Sequence, residues 1–195
     1  VTINFAIIAN FLVQTMTGLF GTVAPSCVYR DFYGFSVPEV HFAASNRQGE
    51  TMSLSIRQAL AEDIHHLTGI DAVARNDERR REQLAQAIRA RECWIACEAN
   101  DAATPLGYGC LDRSFFGEYF IPLVVVSDAS RRTGVGRQLM THLERVASAQ
   151  KVFTSTNTSN LPMRQLLAQL GYQHSGTIEN LDPGDPELVF VKFMR

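Results

Sequence analysis

From Met52 onward the apolar positions fall into short, regular periods. Ser53–Arg57 alternates as a strand does, and Ile64, Leu67, Ile70 and Val73 recur at helical spacing. Leu84 and Ile88 stand four apart in a polar Arg/Gln/Glu/Ala-rich stretch, which predicts a second helix over 77–91. Three strand-like runs follow, Cys93–Ala99, Leu106–Asp112 and Tyr119–Ser127, with turns at Asn100–Pro105 and Phe115–Gly117. After Gly134 the period returns to 3.6, and Val135, Leu139, Leu143 and Val146 form one stripe. A short strand, Val152–Thr156, precedes a helix carrying Met163, Leu166, Leu167 and Leu170, which Gly171 ends. Tyr172–Ile178 and Glu187–Met194 read as closing strands around the turn Leu181–Pro186. The order β-α-α-β-β-β-α-β-α-β-β predicts an α/β fold, a mixed sheet with helices on its faces.

The segment 1–51 is unlike the rest and is treated as an N-terminal extension of unknown role, with the domain at 52–195. Ile3–Val23 is apolar, interrupted by Asn4, Asn10 and Gln14, and lacks a basic flank. Three readings stay open for it: a membrane anchor at 3–23, an ordered extension, or an over-extended reading frame whose working start is Met52. The stretch from Ala24 to Gly49 shows no clear period.

Composition narrows the function. A chain of 195 residues, 46% hydrophobic, supports one ordinary core, and a net charge of -2 supplies no field for nucleic acid. Arg79–Arg81 lies among Asp77, Glu78 and Glu82, the mixture of a solvated helix face. Cys93 and Cys97 sit about 13 Å apart along one strand, beyond the roughly 7 Å limit of a disulfide. No CxxC, HExxH or close His/Cys cluster is present, so reduced thiols, a cytoplasmic setting and no metal are expected.

The chemistry concentrates where the strand ending Val124-Val125-Val126 turns through Ser127–Thr133 into a helix at Gly134-Val135-Gly136-Arg137. First-turn amides of a helix lack internal partners and lie at the positive end of its dipole. Glycines let phosphate oxygens approach them, and arginines add charge. A Walker loop would need GK[ST], and a dinucleotide fingerprint GxGxxG; Gly136 is followed by Arg137, Gln138 and Leu139. What remains is Arg131-x-x-Gly134-x-Gly136 between a hydrophobic strand and an amphipathic helix.

With this loop, and with Asn160-Leu-Pro-Met-Arg-Gln-Leu-Leu-Ala-Gln-Leu-Gly-Tyr172, the chain resembles the GNAT superfamily of acetyl-CoA-dependent N-acetyltransferases. Arg131–Gly136 is similar to the family's [QR]xxGx[GA] loop, and the second stretch to its NxxAxxxYxxxGF segment. The resemblance covers about Ser53 to Met194 and implies a mostly antiparallel sheet splayed between the fourth and fifth strands of that domain. It implies that Val124, Val125 and Val126 present an edge to the pantetheine arm. The loop of Arg131, Arg132, Thr133, Gly134, Val135, Gly136 and Arg137 would hold the pyrophosphate, and Asn160 would reach the pantetheine or the acetyl end. Asn160 is also a good N-cap on its own account.

The implied reaction is acetyl transfer from acetyl-CoA to a small-molecule or peptide amine by direct attack, in a monomer or homodimer, without nucleic acid, metal or membrane. The family's frequent acidic tyrosine falls at Leu167, and its frequent fourth-strand carboxylate near Phe120. Glu118 is the nearest candidate base and Tyr172 the nearest candidate acid. Asp182, Asp185 and Glu187 read as a solvated acidic turn, with attraction of a cationic amine as the alternative. Two other functions stay open: a CoA-binding module of the same fold without turnover, and a membrane-tethered protein held by residues 3–23.

Overall fold

The computed structural model describes residues 40–45 and 51–194. Among them one eight-stranded sheet runs in the order β1-β2-β3-β4-β5-β6-β8-β7. Its strands are β1 Val40–Ser45, β2 Thr51–Gln58, β3 Cys93–Glu98, β4 Asp101–Phe115, β5 Glu118–Val126, β6 Lys151–Asn157, β7 Gln173–Ile178 and β8 Glu187–Phe193. The helices are α1 Ile64–Ile70, α2 Glu78–Arg89, α3 Val135–Ala147 and α4 Leu161–Leu170. All neighbouring strands are antiparallel except β5 and β6, which are parallel. This is the expected mixed, mostly antiparallel α/β sheet.

Strand alternation separates two cores. Leu67, Leu84 and Ile88 of α1 and α2 meet Ile95, Tyr108 and Leu123 on one face. On the other, α3 and α4 bring Val135, Leu139, Leu143 and Leu167 against Leu54, Ile56 and Ile121. The helix α3 sits close because β4 carries glycines beneath it. A Cβ on Gly107 would lie 2.6 Å from the Val125 carbonyl oxygen and 3.2 Å from Val135, and one on Gly109 would lie 2.8 Å from Leu143.

Several local features differ from the sequence pattern. The sheet takes in Val40–Ser45, which pairs with β2 although the segment carries no legible period. The first helix stops at Ile70 because Asp71 turns to extended backbone and its carboxylate accepts the amides of Val73 and Ala74. The stretch 101–105 belongs to β4, where Pro105 faces Cys97 at an irregular register, a position that tolerates a missing N–H. Cys93 lies directly across from Cys110, and Cys93, Cys97 and Cys110 are all free thiols. The proposed anchor at 3–23 lies outside the described residues. Among the described residues no helix is long and apolar enough to cross a membrane.

Two measurements check this packing. Gly107→Ala forces a methyl into the Val125 carbonyl, and overpacking of this kind costs about 1–3 kcal/mol. Denaturant unfolding should show that loss, and an unchanged midpoint would mean that neither the Val125 carbonyl nor Val135 of α3 crowds Gly107. His142 of α3 is buried with neither ring nitrogen hydrogen-bonded, and burial, then Arg145, push its pKa down to about 4. The unfolded chain takes up that proton near 6.5, so stability is full above that pH and falls as pH drops towards 4. The melting temperature of His142→Leu should decline less than the parent's across that window.

Candidate active site

The site begins where β5 leaves β6. The two strands pair only at Phe120–Phe153 and Ile121–Thr154. Next comes Pro122, which has no N–H to donate. On its other side β5 bulges, since Cys110 faces Leu123 while Asp112 faces Phe120, so Ile121 and Pro122 share one position of β4. Thr154 fastens the last joined point by donating to the Ile121 carbonyl at 2.8 Å. Beyond it, β5 keeps pairing with β4 from Leu123 to Val126 while its other edge is free of β6. Ser127 donates to Leu106 of β4, so alternation turns the backbone groups of Val124 and Val126 towards the gap.

The N-terminus of α3 opens at the same end. Its first helical bond runs from Gln138 N–H to the Gly134 carbonyl, leaving the amides of Val135, Gly136 and Arg137 without intrahelical partners. In α2 and α4 such amides are met by Asp77 and Asn160 side chains, but α3 begins at Gly134 (φ 96°) with no side-chain cap. Arg132 also has positive φ, at 63°, and left-handed residues on either side of Thr133 curl the loop into a concave cradle of backbone amides. Side chains brace the loop from behind: Thr133 donates to the Ser130 carbonyl at 2.6 Å, and Ser127 to the Ser130 hydroxyl at 2.9 Å. Arg131 pairs with Asp128 at the surface. Arg137 donates to Gln169, linking α3 to α4.

Gly136 lies where three elements meet. A Cβ there would find Val126 at 3.5 Å and Leu166 at 3.6 Å, ordinary contact distances. Asn160 caps α4 by accepting from the Met163 amide, and its amide nitrogen donates to Thr156 of β6. The structure therefore gathers Val124–Val126, the 131–137 loop and Asn160 around the gap.

It does not bring the two expected catalytic side chains there. Glu118 begins β5, roughly 26 Å along the strand from Val126, and pairs with Lys151 at 2.9 Å at the joined end. Tyr172 is buried behind α4, with Lys192 over its ring. Burial, and then Glu144, hold its phenol far above the ordinary range. Glu144 itself lies about 13 Å along α3 from Val135. Leu167 is fully buried core. A shallow cleft lined by Leu170, Gly171, Gln173, Lys192, Phe193 and Met194 lies past the C-terminal end of α4, away from the gap.

The acidic turn is the feature sequence reasoning read differently. Asp182 and Glu187 are buried, because the 181–186 turn folds across the end of β6 as a strap. Asn157 donates to Asp182 at 2.8 Å, Ser159 to Asp185 at 2.6 Å, and Thr158 to the Pro186 carbonyl at 3.0 Å. The legible signal is the polar run Asn157, Thr158 and Ser159 at the end of β6, which supplies partners for that strap.

A mixed sheet opening between two parallel strands, with an uncapped helix end at the opening, is the architecture that the resemblance implies. The sequence profile of the Acetyltransferase (GNAT) family matches residues 58–172, and the chain belongs to that family. An acetyltransferase of the GNAT family from Bacillus cereus is 31% identical, with a TM-score of 0.66 over 73% of this chain and 99% of that one. The same fold is seen in yncA from Salmonella typhimurium, solved with its cofactor acetyl-CoA, at 16% identity and a TM-score of 0.59 over 73% of this chain and 94% of that one. It is seen too in the ribosomal-protein-alanine N-acetyltransferase of Brucella melitensis, at 19% identity and a TM-score of 0.58 over 71% and 99%. No curated protein matches the sequence.

Gly136 gives the clearest test of the cradle. An aspartate at the second helical position is favourable to the helix dipole, and its Cβ meets only ordinary contacts, yet its carboxylate would repel a phosphate. Gly136→Asp should unfold no more easily than the parent while binding CoA at least tenfold more weakly, about 1.4 kcal/mol. Calorimetry showing parental affinity in the folded variant would place the phosphates elsewhere.

Proposed function

We propose that this protein transfers the acetyl group of acetyl-CoA to the nitrogen of a primary amine, carried by a small molecule or a peptide, by direct attack. The observation that carries this reading is the uncapped α3 N-terminus beside the unpaired edge of β5. Free amides at Val135–Arg137 suit a pyrophosphate, and the edge at Val124 and Val126 offers alternating donors and acceptors to an amide-bearing arm. The presence of acetyl-CoA in yncA and the amine acceptor named for the Brucella relative support the choice of acyl donor and acceptor class.

Acetyl-CoA supplies a thioester, whose carbonyl is open to an amine. The chain's part is to fix the arm along β5, to hold the phosphates on α3, and to leave backbone donors where carbonyl charge develops. No phenol is needed for the leaving group. A thiol has a pKa near 8.5, so its thiolate departs near neutral pH without a dedicated acid. Tyr172, buried away from the gap, fits that account.

The test is acetyl-CoA consumption by the full chain against a panel of primary amines, followed by Tyr172→Phe on the best acceptor. A general acid contributes about 10²–10⁴-fold where it acts. The Phe variant should lose less than about tenfold in kcat. A hundredfold loss with CoA affinity intact would make Tyr172 the acid. A parent that binds CoA but consumes acetyl-CoA with no amine would favour the binding module without turnover.

A further inference from the structure

Three free thiols, Cys93, Cys97 and Cys110, lie in the core beneath α1 and α2, and the proposed acetyl transfer uses none of them. Their spacing follows from the ladder between β3 and β4. Cys93 stands directly across from Cys110, whereas Cys97 faces Pro105, five residues along β4 from Cys110. Strand rise then places Cys97 roughly 13 Å or more from either of the others. Among the described cysteines, Cys93 and Cys110 are the only pair within reach of each other.

The ladder also fixes how that pair meets. Leu111 donates to the Glu92 carbonyl at 2.9 Å, so the position beside the cysteines is a hydrogen-bonded one. Hydrogen-bonded and non-hydrogen-bonded positions alternate along antiparallel strands, which makes Cys93 and Cys110 a non-hydrogen-bonded pair. Cα atoms in such a pair stand about 4.5 Å apart with their side chains close. A disulfide takes roughly 4.4–6.8 Å, so the backbone already has the required spacing. The two thiols share a hydrogen bond. That bond, and then burial, push the Cys110 thiol up, with the charges of Cys93 and Asp112 acting the same way against Arg80. Both thiols therefore stay protonated and closed to bulky reagents while the core is shut.

We propose that Cys93 and Cys110 are an oxidation site, a thiol pair that a small peroxide converts into a disulfide joining β3 to β4. One cysteine, as its thiolate, attacks a peroxide oxygen, the O–O bond breaks, and a sulfenic acid and one water result. The sulfur of the other then attacks the sulfenyl sulfur. The S–O bond breaks, and the second water leaves with the thiol proton. Two thiols and one hydrogen peroxide thus become one disulfide and two waters. Close placement of the second thiol favours this step over further oxidation of the sulfenic acid. Cys110 faces Leu123, the first β5 residue past the bulge, so the bond ties β4 down at the point where the gap opens. A cross-link made without moving the backbone stabilises the fold by restricting the unfolded chain.

The experiment treats the full folded chain with hydrogen peroxide, then unfolds it with an alkylating agent present. The mass should fall by that of two hydrogens, and proteolysis should yield one linked pair of peptides carrying Cys93 and Cys110. Dithiothreitol should restore both thiols. The double variant Cys27→Ser, Cys97→Ser should form the same link, and Cys93→Ala should form none. The oxidised parent should melt at a higher temperature than the reduced parent, and exchange of the Leu111 amide should slow. If Cys93→Ala fails to fold, peptide mapping of the parent and the double variant still decides. Full alkylation of Cys93 and Cys110 after peroxide would overturn the proposal, as would links to Cys27 or Cys97, sulfinic acids in place of a link, or a link that lowers the melting temperature.

Discussion

The candidate site depends on one constraint, the parting of β5 from β6 after Ile121. Two parallel strands would ordinarily continue pairing, since unpaired buried backbone groups are expensive. Pro122 interrupts the ladder by withholding its N–H, the bulge against β4 turns the strand, and the Thr154 side chain pins the final joined carbonyl. What results is an edge in the middle of a sheet, with its polar groups unpaired by β6 beyond Ile121.

The helix α3 makes that edge specific. Gly107 and Gly109 let its Val135–Leu139–Leu143 ridge settle onto β4, which fixes its N-terminus beside Val126. Other long helices here spend a side chain on their first amides, whereas α3 begins with a left-handed glycine and spends none. The residues that seat the helix thus also aim its free amides at the gap, so fold stability and the geometry of the candidate site draw on the same contact. At the end of β6 the 181–186 strap closes over Asp182 and Glu187, and among the described residues Asp182 Oδ1 and Glu187 Oε2 find no hydrogen-bond partner.

Much of this was legible in the sequence because it rests on local signals. The stripe Val135–Val146, the glycines at 134 and 136, and the stop at Gly171 each state a helix and its ends, and the order of elements from Ser53 onward follows. The two motifs likewise mark the 131–137 loop and Asn160, which the fold places beside the gap. What the sequence did not disclose depends on register and long-range contact. Whether Glu118 stands at the open or closed end of the gap is decided by Phe120 pairing with Phe153. Whether Tyr172 faces the gap depends on the packing of α4 against α3. The acidic turn looked solvated because Asp, Pro and Gly ordinarily mark exposed turns, and only its hydrogen bonds to Asn157, Thr158 and Ser159 reveal a strap. The strand Val40–Ser45 has too little alternation to announce itself and takes its form from β2.

The central claim is that backbone groups of α3 and β5 together hold the donor. It is tested most directly by amide NMR of the full chain during titration with CoA. The largest saturable shifts should fall on the amides of Val135, Gly136 and Arg137 and on Val124 and Val126, with one affinity for all. Shifts centred instead on Gly171, Gln173, Lys192 and Phe193, with the α3 amides unmoved, would contradict the account.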